Sequence, residues 1–355
     1  MYEFSLLIQT DQRLSVSDIE PQLQNLKSLE IPGEVLIVSD KLTPEETRTF
    51  DINPWIKVTL VRVDSRSRAV KVNQLINMAM GKLIILYADD FEIKVSAIEA
   101  HLDFHRSDSA IRSICFGMGW IKRKTIFNGW LENQGVVFGY RFEEHAPYEK
   151  MQFDFFYGGN SSMKRELFKL TGLLNECCEF DCTDDWLLWR EMKEHDCKFF
   201  HVRKCDVVHI HDVNIKERFI AVIQSGWNAA HLKLNENNTD ENLDLKIQQL
   251  HQEFISTSKK LSRPKELFLL IEQVGLHLGR MLYEEKIKLD DMYSTKEIFE
   301  HIFSNRNLSI PDFDAIETNI RKSSFINLFR LYGRDGFRYL RSDLKKLLLL
   351  TRCRS

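Results

Sequence analysis

The sequence predicts an α/β fold on a mainly parallel sheet, followed by a helical region. Phe4 to Gln9 (FSLLIQ), Glu34 to Ser39 (EVLIVS) and Leu83 to Tyr87 (LIILY) are nearly continuous apolar runs, as strands covered on both faces are. Helix-length segments separate them, the alternation of a parallel α/β sheet. After the polar stretch NENNTDENLD, beyond about Asn235, the spacing becomes helical throughout. The division expected is therefore 1–235 for the α/β domain and 236–355 for the helical region.

The elements follow in order. Phe4 to Gln9 is the first strand, and Ser17 to Leu29 forms an amphipathic helix with Ser17 and Glu20 at capping-box spacing. Glu34 to Ser39 and Val58 to Val63 are strands, Arg68 to Met80 has helical spacing, and Leu83 to Tyr87 runs into Asp89 and Asp90. Val95 to Phe104 is helical, Ala110 to Trp120 and Gly135 to Tyr140 are β-like, and a basic aromatic connector lies between those two. A Gly-Gly turn and a helix from about Lys164 to Leu170 come next, with Ser161 or Ser162 as its cap. Asp184 to Lys193 is a helix, and Lys198 to Val202 and Val207 to Ile210 are short strands. Beyond the polar linker, Leu245 to Ser258, Pro264 to Glu285 and Thr295 to Phe303 have helical periodicity.

With 355 residues, 43% hydrophobic and 28% charged, 7 Pro and 15 Gly, the chain has material for one large core or two ordinary ones. That excludes a disordered segment, a collagen-like repeat and a stapled mini-protein. A net charge of −3 does not suit wrapping in nucleic acid, so no nucleic-acid partner is expected. Charge is uneven: residues 321–355 hold ten basic and two acidic side chains, leaving −11 on the rest. Seven Cys make no disulfide framework, and the Cys177, Cys178 and Cys182 group reads as ordinary thiols rather than a zinc site. Acidic residues interrupt the N-terminus before a secretory signal develops, and no apolar run spans a bilayer. The expected location is cytoplasmic.

Ligands of parallel sheets bind beyond the C-terminal strand ends, where Asp40, Asp89 and Asp90 all fall. Carboxylates there can hold a divalent cation through hard oxygen ligands, and the cation can bind phosphate. The same residues also serve as turn or helix caps. Asp184 and Asp185 open a helix, and His209 and His211 follow in VVHIHD.

In order and spacing, VSD at Val38 to Asp40, Asn73 followed by Gly81, IILYADD at Ile84 to Asp90, GGNSSMKRELF at Gly158 to Phe168, Gly172-Leu173, DDWLLWR at Asp184 to Arg190 and VVHIH at Val207 to His211 resemble the inverting family-two glycosyltransferases. The likeness covers Phe4 to Asp212. It implies a GT-A-like fold, a nucleotide-sugar donor, UDP-linked by preference, a glycan or glycoconjugate acceptor, and a divalent metal, Mn²⁺ in preference to Mg²⁺. By the same likeness Asp40 recognises the base, Asn73 shapes the nucleotide pocket, and Arg66 and Arg68 lie where they can approach the diphosphate. Asp90 becomes the principal metal ligand, with Asp89 reaching ribose or water; Ala88 stands where the family has its first acid. Gly158, Gly159 and Asn160 fall on the acceptor and donor wall, and Trp186 offers a flat apolar face for a sugar ring. Asp184 is the preferred general base because Leu187 and Arg190 then keep their family positions; the acidic pair matched literally selects Asp185 instead. His211 matches a metal or diphosphate contact, with His209 as the alternate. A metal-dependent nucleotidyltransferase and a noncatalytic carbohydrate-binding protein are the competing classes.

The segment from Phe325 interleaves Phe, Leu and Tyr with Arg and Lys. It is either a helix packed on the protein itself or a peripheral contact with an anionic membrane surface.

Overall fold

The computed structural model describes residues 2–10, 16–65, 67–121, 150–153, 158–178, 184–210, 215–232, 249, 252–253 and 264–284. Arg66, His211, the Gly135 to Tyr140 stretch, the Thr295 to Phe303 segment and the basic tail lie outside them.

The sheet strands are β1 (Phe4–Gln9), β2 (Gly33–Ser39), β3 (Thr49–Asn53), β4 (Ile56–Arg62), β5 (Leu83–Ala88), β6 (Ser113–Phe116), β8 (Lys150–Phe153), β9 (Asn160–Lys164) and β10 (Lys198–Val202). They form one nine-stranded sheet in the order β3-β4-β2-β1-β5-β9-β6-β10-β8. β4, β2, β1 and β5 are mutually parallel, and β9 runs antiparallel to both β5 and β6, so β6 and its parallel neighbour β10 return to the first direction. β3 and β8 are antiparallel edges. A separate ribbon pairs β7 (Gly119–Ile121) with β11 (Val207–His209) in parallel.

The continuous apolar runs are explained by two cores, one on each face of the sheet. Alternation along β1 and β2 sends Leu7, Leu36 and Val38 to one face, where α2 (Arg68–Met78) supplies Ala69, Val72, Leu75 and Ile76. Leu6, Ile8, Val35 and Ile37 go to the other, against Ile19 and Leu23 of α1 (Val16–Leu23) and Ala97, Ile98 and Leu102 of α3 (Val95–Ser107). Each fully buried side chain of this size contributes about 1.5–3 kcal/mol of transfer free energy. This is the mixed, mainly parallel α/β sheet flanked by helices that the sequence predicts.

Several elements differ from expectation. The helix read through to Leu29 stops at Leu23 and continues as a 3-10 turn, Gln24–Ser28. NSSMK is not a helix cap but strand β9, in which Asn160, Ser161 and Ser162 are fully buried; the helical turn α4 (Phe168–Thr171) begins later. Edge strand β3 carried no period-two signal because its side chains are all at least partly exposed. The Asn73-to-Gly81 spacing has a packing cause at its second residue. A Cβ on Gly81 would lie 2.3 Å from the Phe4 carbonyl carbon, while the Gly81 amide donates to Ser5 Oγ and to the buried Glu34 carboxylate.

Helix α5 (Asp184–Glu194) forms where expected. α7 (Pro264–Glu284) also matches its predicted span and packs against α6 (Ile215–His231), a helix the sequence reading did not identify. Gly226, Gly275 and Gly279 allow this contact: a Cβ on Gly279 would lie 2.0 Å from the Ile223 carbonyl oxygen. The expected division at 235/236 thus falls between two helices that pack on each other. Among the described residues, no helix is long and apolar enough to cross a membrane.

Candidate active site

Because β2, β1 and β5 are parallel, Asp40, Thr10 and Ala88-Asp89-Asp90 emerge at one edge. The Asp40 carboxylate is about a quarter exposed and lies 3.8 Å from the ammonium of Lys71, a nearly buried residue of α2. The same ammonium lies 3.5 Å from the Thr10 carbonyl. Lys71 was missed by sequence reasoning because a lysine inside a helix reads as a solvated face.

Past β5, the chain turns back on a local clasp. The Phe91 amide donates to the Ala88 carbonyl, and the buried Tyr87 hydroxyl donates to the Glu92 carbonyl at 2.6 Å. Burial pushes the Tyr87 phenol far above its usual range, so it stays protonated and donating. Residues 90–92 then pair with β11: Glu92 N donates to Val208 O and Ile210 N to Asp90 O, both at 2.8 Å. This register brings the His209 Nε2 to 2.7 Å from Asp90 Oδ2, and Phe91 meets the imidazole edge to face at 5.3 Å. Of the two candidate histidines, the described contact is with the alternate, His209. Asp89 beside them is half-exposed.

Asp90 and His209 supply an oxygen and an imidazole donor, a set that suits Mn²⁺. Their 2.7 Å separation is a hydrogen bond between imidazole and carboxylate. Ala88 contributes no carboxylate to this set.

The glycine turn joins this edge to α5. Gly159 O accepts from Ala88 N at 2.6 Å. What approaches Gly158 closely is the Asp185 carboxylate: a Cβ there would lie 2.2 Å from Asp185 Oδ1. Arg68, at the start of α2, places one guanidinium nitrogen 2.6 Å from Asp184 Oδ2 and 2.7 Å from Asp185 Oδ1. Ser67 anchors that helix start by accepting from Val70 N and donating to the Cys178 carbonyl. The Asp184 side chain is 1% exposed and that of Asp185 34%. Asp184 Oδ1 also accepts from Asp185 N.

Three of the expected site residues are engaged inside the fold. Asn160 is fully buried, with Nδ2 donating to Cys205 O at 2.8 Å and Oδ1 at 3.0 Å from His101 Nε2. Asn73 is buried as well; its amide bonds Leu174 N, Leu174 O and Glu176 Oε1 and clasps that loop to α2. Arg68 is engaged by two carboxylates. Trp186 is 44% exposed, with the Arg190 guanidinium 5.4 Å from its ring centroid.

No family model and no curated protein matches the chain. Among solved structures it is similar to GalNAc-T7 with UDP, GalNAc and Mn²⁺, at 12% identity and a TM-score of 0.43, over 64% of this chain and 50% of that one. It is similar also to the mannosyltransferase PcManGT from Pyrobaculum calidifontis in complex with GDP-Man and Mn²⁺, at 12% identity and a TM-score of 0.45, over 93% and 88%. The chain thus spans half the length of the first. At this identity and these scores neither likeness assigns an activity to the chain.

Proposed function

We propose that the chain is an inverting glycosyltransferase with a GT-A-like domain that takes a nucleotide-sugar, UDP-linked by preference, to a hydroxyl of a glycan or glycoconjugate. One observation carries the reading: the carboxylates at the strand ends and those opening α5 are drawn to one edge by the Gly158-Gly159 turn, which bonds Ala88 on one side and cradles Asp185 on the other.

Asp40, exposed enough to accept a base N–H, receives the nucleotide. Asp90 and His209 hold the divalent ion, with Asp89 toward ribose or water; when bound, the ion offsets the negative charge gathering on the departing diphosphate. Asp185 takes the proton of the acceptor hydroxyl. It replaces Asp184 as the preferred base because Asp184 is closed off while Asp185 keeps a third of its surface open. Asp184 holds Arg68, and Arg68 fixes the orientation of the Asp185 carboxylate. The acceptor oxygen attacks the anomeric carbon as the bond to the diphosphate breaks on the opposite face, so configuration inverts with no covalent enzyme intermediate.

A donor-by-acceptor screen read by mass spectrometry, with and without Mn²⁺, tests this. Nucleoside diphosphate release with a glycosylated product of inverted configuration is the expected result. Release of inorganic diphosphate with a nucleotidylated product would assign a nucleotidyltransferase, and glycan binding with no turnover of any donor would assign a binding protein.

A further inference from the structure

A second cluster of ligand-type side chains lies in the interior, beneath the other half of the sheet. His101 of α3, Cys115 of β6 and Cys205 of the 3-10 turn Arg203–Cys205 are all fully buried. One donor atom from each lies within 4.8 Å of the others. The thiols are free, and their sulfurs stand 3.6 Å apart. Two thiolates on one tetrahedral zinc, at about 2.3 Å each, lie roughly 3.8 Å apart, whereas a disulfide needs about 2.05 Å. The observed spacing is that of two sulfurs able to share an ion.

The surrounding hydrogen bonds fix how His101 is presented. Asn160 Nδ2 donates to Cys205 O, so Asn160 Oδ1 is the end facing the ring and must accept from His101 Nε2. Nε2 therefore carries a proton, and in the neutral ring Nδ1, 2.9 Å from Ser162 Oγ, is the lone-pair nitrogen. Ser162 is the cross-strand partner of Cys115. A histidine whose ring N–H is held by a protein oxygen while its other nitrogen is an acceptor is in the form in which imidazole binds metals. Gly117 lets the Cys205 turn close in: a Cβ there would lie 2.2 Å from Cys205 O.

We propose that His101, Cys115 and Cys205 form a structural zinc site that staples α3 and the turn after β10 to β6. Binding releases one proton from each thiol, so a divalent ion, two thiolates and a neutral imidazole sum to zero charge, which a buried site can hold. Thiolate sulfur and imidazole favour zinc over the oxygen-seeking Mn²⁺ or Mg²⁺. The site is separate from the Asp90–His209 pair and does not depend on the proposed activity.

The test uses the full chain, without a histidine tag, produced in zinc-supplemented medium and dialysed before elemental analysis. About one zinc per chain is expected, unchanged in Cys177→Ser, an exposed thiol elsewhere, and reduced to background in Cys115→Ser and in Cys205→Ser. Because the site is closed, the wild type is also unfolded and refolded with Co²⁺ alone, which should give a thiolate-to-cobalt charge-transfer band with visible ligand-field bands. The cobalt spectrum keeps the proposal falsifiable if the cysteine variants do not fold. Background zinc with no cobalt–thiolate band in the refolded wild type would overturn it, as would full zinc content in a folded Cys115→Ser/Cys205→Ser variant. A metal-free chain two hydrogens lighter would overturn it in favour of a Cys115–Cys205 disulfide.

Discussion

The half of the sheet made by β4, β2, β1 and β5 and the half made by β9, β6, β10 and β8 are held together by different chemistry. In the first, parallel strands are apolar on both faces along most of their length, and polar side chains stand at the two strand ends, buried Ser5 and Glu34 at one and Asp40, Asp89 and Asp90 at the other. In the second, polar side chains occupy the centre. Asn160, Ser161 and Ser162 are fully buried, Ser162 lies between His101 and His105, and His201 contacts Asp206 at 2.8 Å. The first half is specified by non-directional burial, which any well-sized apolar side chain supplies. The second needs particular donors opposite particular acceptors, so single polar changes should be felt there as strongly as core truncations are in the first.

The largest expected effect lies at the seam between the halves, where Gly159 bonds Ala88 and Asp185 rests on Gly158. Asp185→Asn should lower transfer by about 10²–10⁴-fold with donor binding retained, since removing a general base costs that much. Steady-state kinetics beside donor calorimetry check it. Asp184→Asn should act differently, lowering stability to urea by roughly 3 kcal/mol because it leaves Arg68 without its buried partner. Inactivity of a stable Asp184→Asn, with an active Asp185→Asn, would restore Asp184 as the base.

Next come two substitutions that set the halves against each other. Leu7→Ala in β1 should cost about 2–5 kcal/mol, as large-to-small changes in a closed core do. Ser162→Ala removes only an oxygen, yet strands the His101 nitrogen that meets it, while His105 keeps the Ser162 carbonyl, and should cost about 1–3 kcal/mol. Urea unfolding measures both. A loss below about 0.5 kcal/mol in Ser162→Ala would mean that the second half is held by burial like the first.

Acid should separate the halves as well. Burial pushes His105 down to about 4, outweighing the hydrogen bond to Ser162 that favours its charged form. The unfolded chain then binds the proton more readily than the folded one between about pH 6.5 and 4, so stability is full above that window and falls as pH drops through it. The loss approaches roughly 3 kcal/mol at its low end. Stability measured across that range should fall less steeply in His105→Gln; an unchanged slope would place the acid sensitivity elsewhere.

The same contrast explains what was legible in the sequence. β1, β2 and β5 were readable because continuous apolar runs specify buried strands locally, and parallel pairing then put Asp40, Asp89 and Asp90 on one edge. β9 was not readable, because NSSMK is a strand only by virtue of the partners that α3, β5 and β6 bring to it. Asp184 and Asp185 were found as a pair, but their ranking depended on burial, which spacing along a helix cannot distinguish when both residues occupy the first turn. Lys71 and the His101, Cys115 and Cys205 cluster escaped because their members are far apart in sequence and each, taken alone, reads as ordinary.

The smallest expected effect on stability belongs to Trp186. Its ring is 44% exposed, lies 6.3 Å from that of Trp189, and has the Arg190 guanidinium above it. Trp189, by contrast, packs partly buried against the core, so the two tryptophans of one helix divide between holding the fold and facing outward. Trp186→Ala gives up an exposed cation–π contact worth about 0.5–1 kcal/mol, and urea midpoints should move little. If the ring instead meets the C–H face of an acceptor sugar beside Asp185, the same change should raise the acceptor KM several-fold while leaving donor binding as it was. Trp186→Phe, which keeps a flat face, should recover part of that loss. Equal effects on donor and acceptor would assign the ring to the stability of the α5 start rather than to a sugar subsite, and would leave Asp185 as the sole contribution of that helix to the acceptor side.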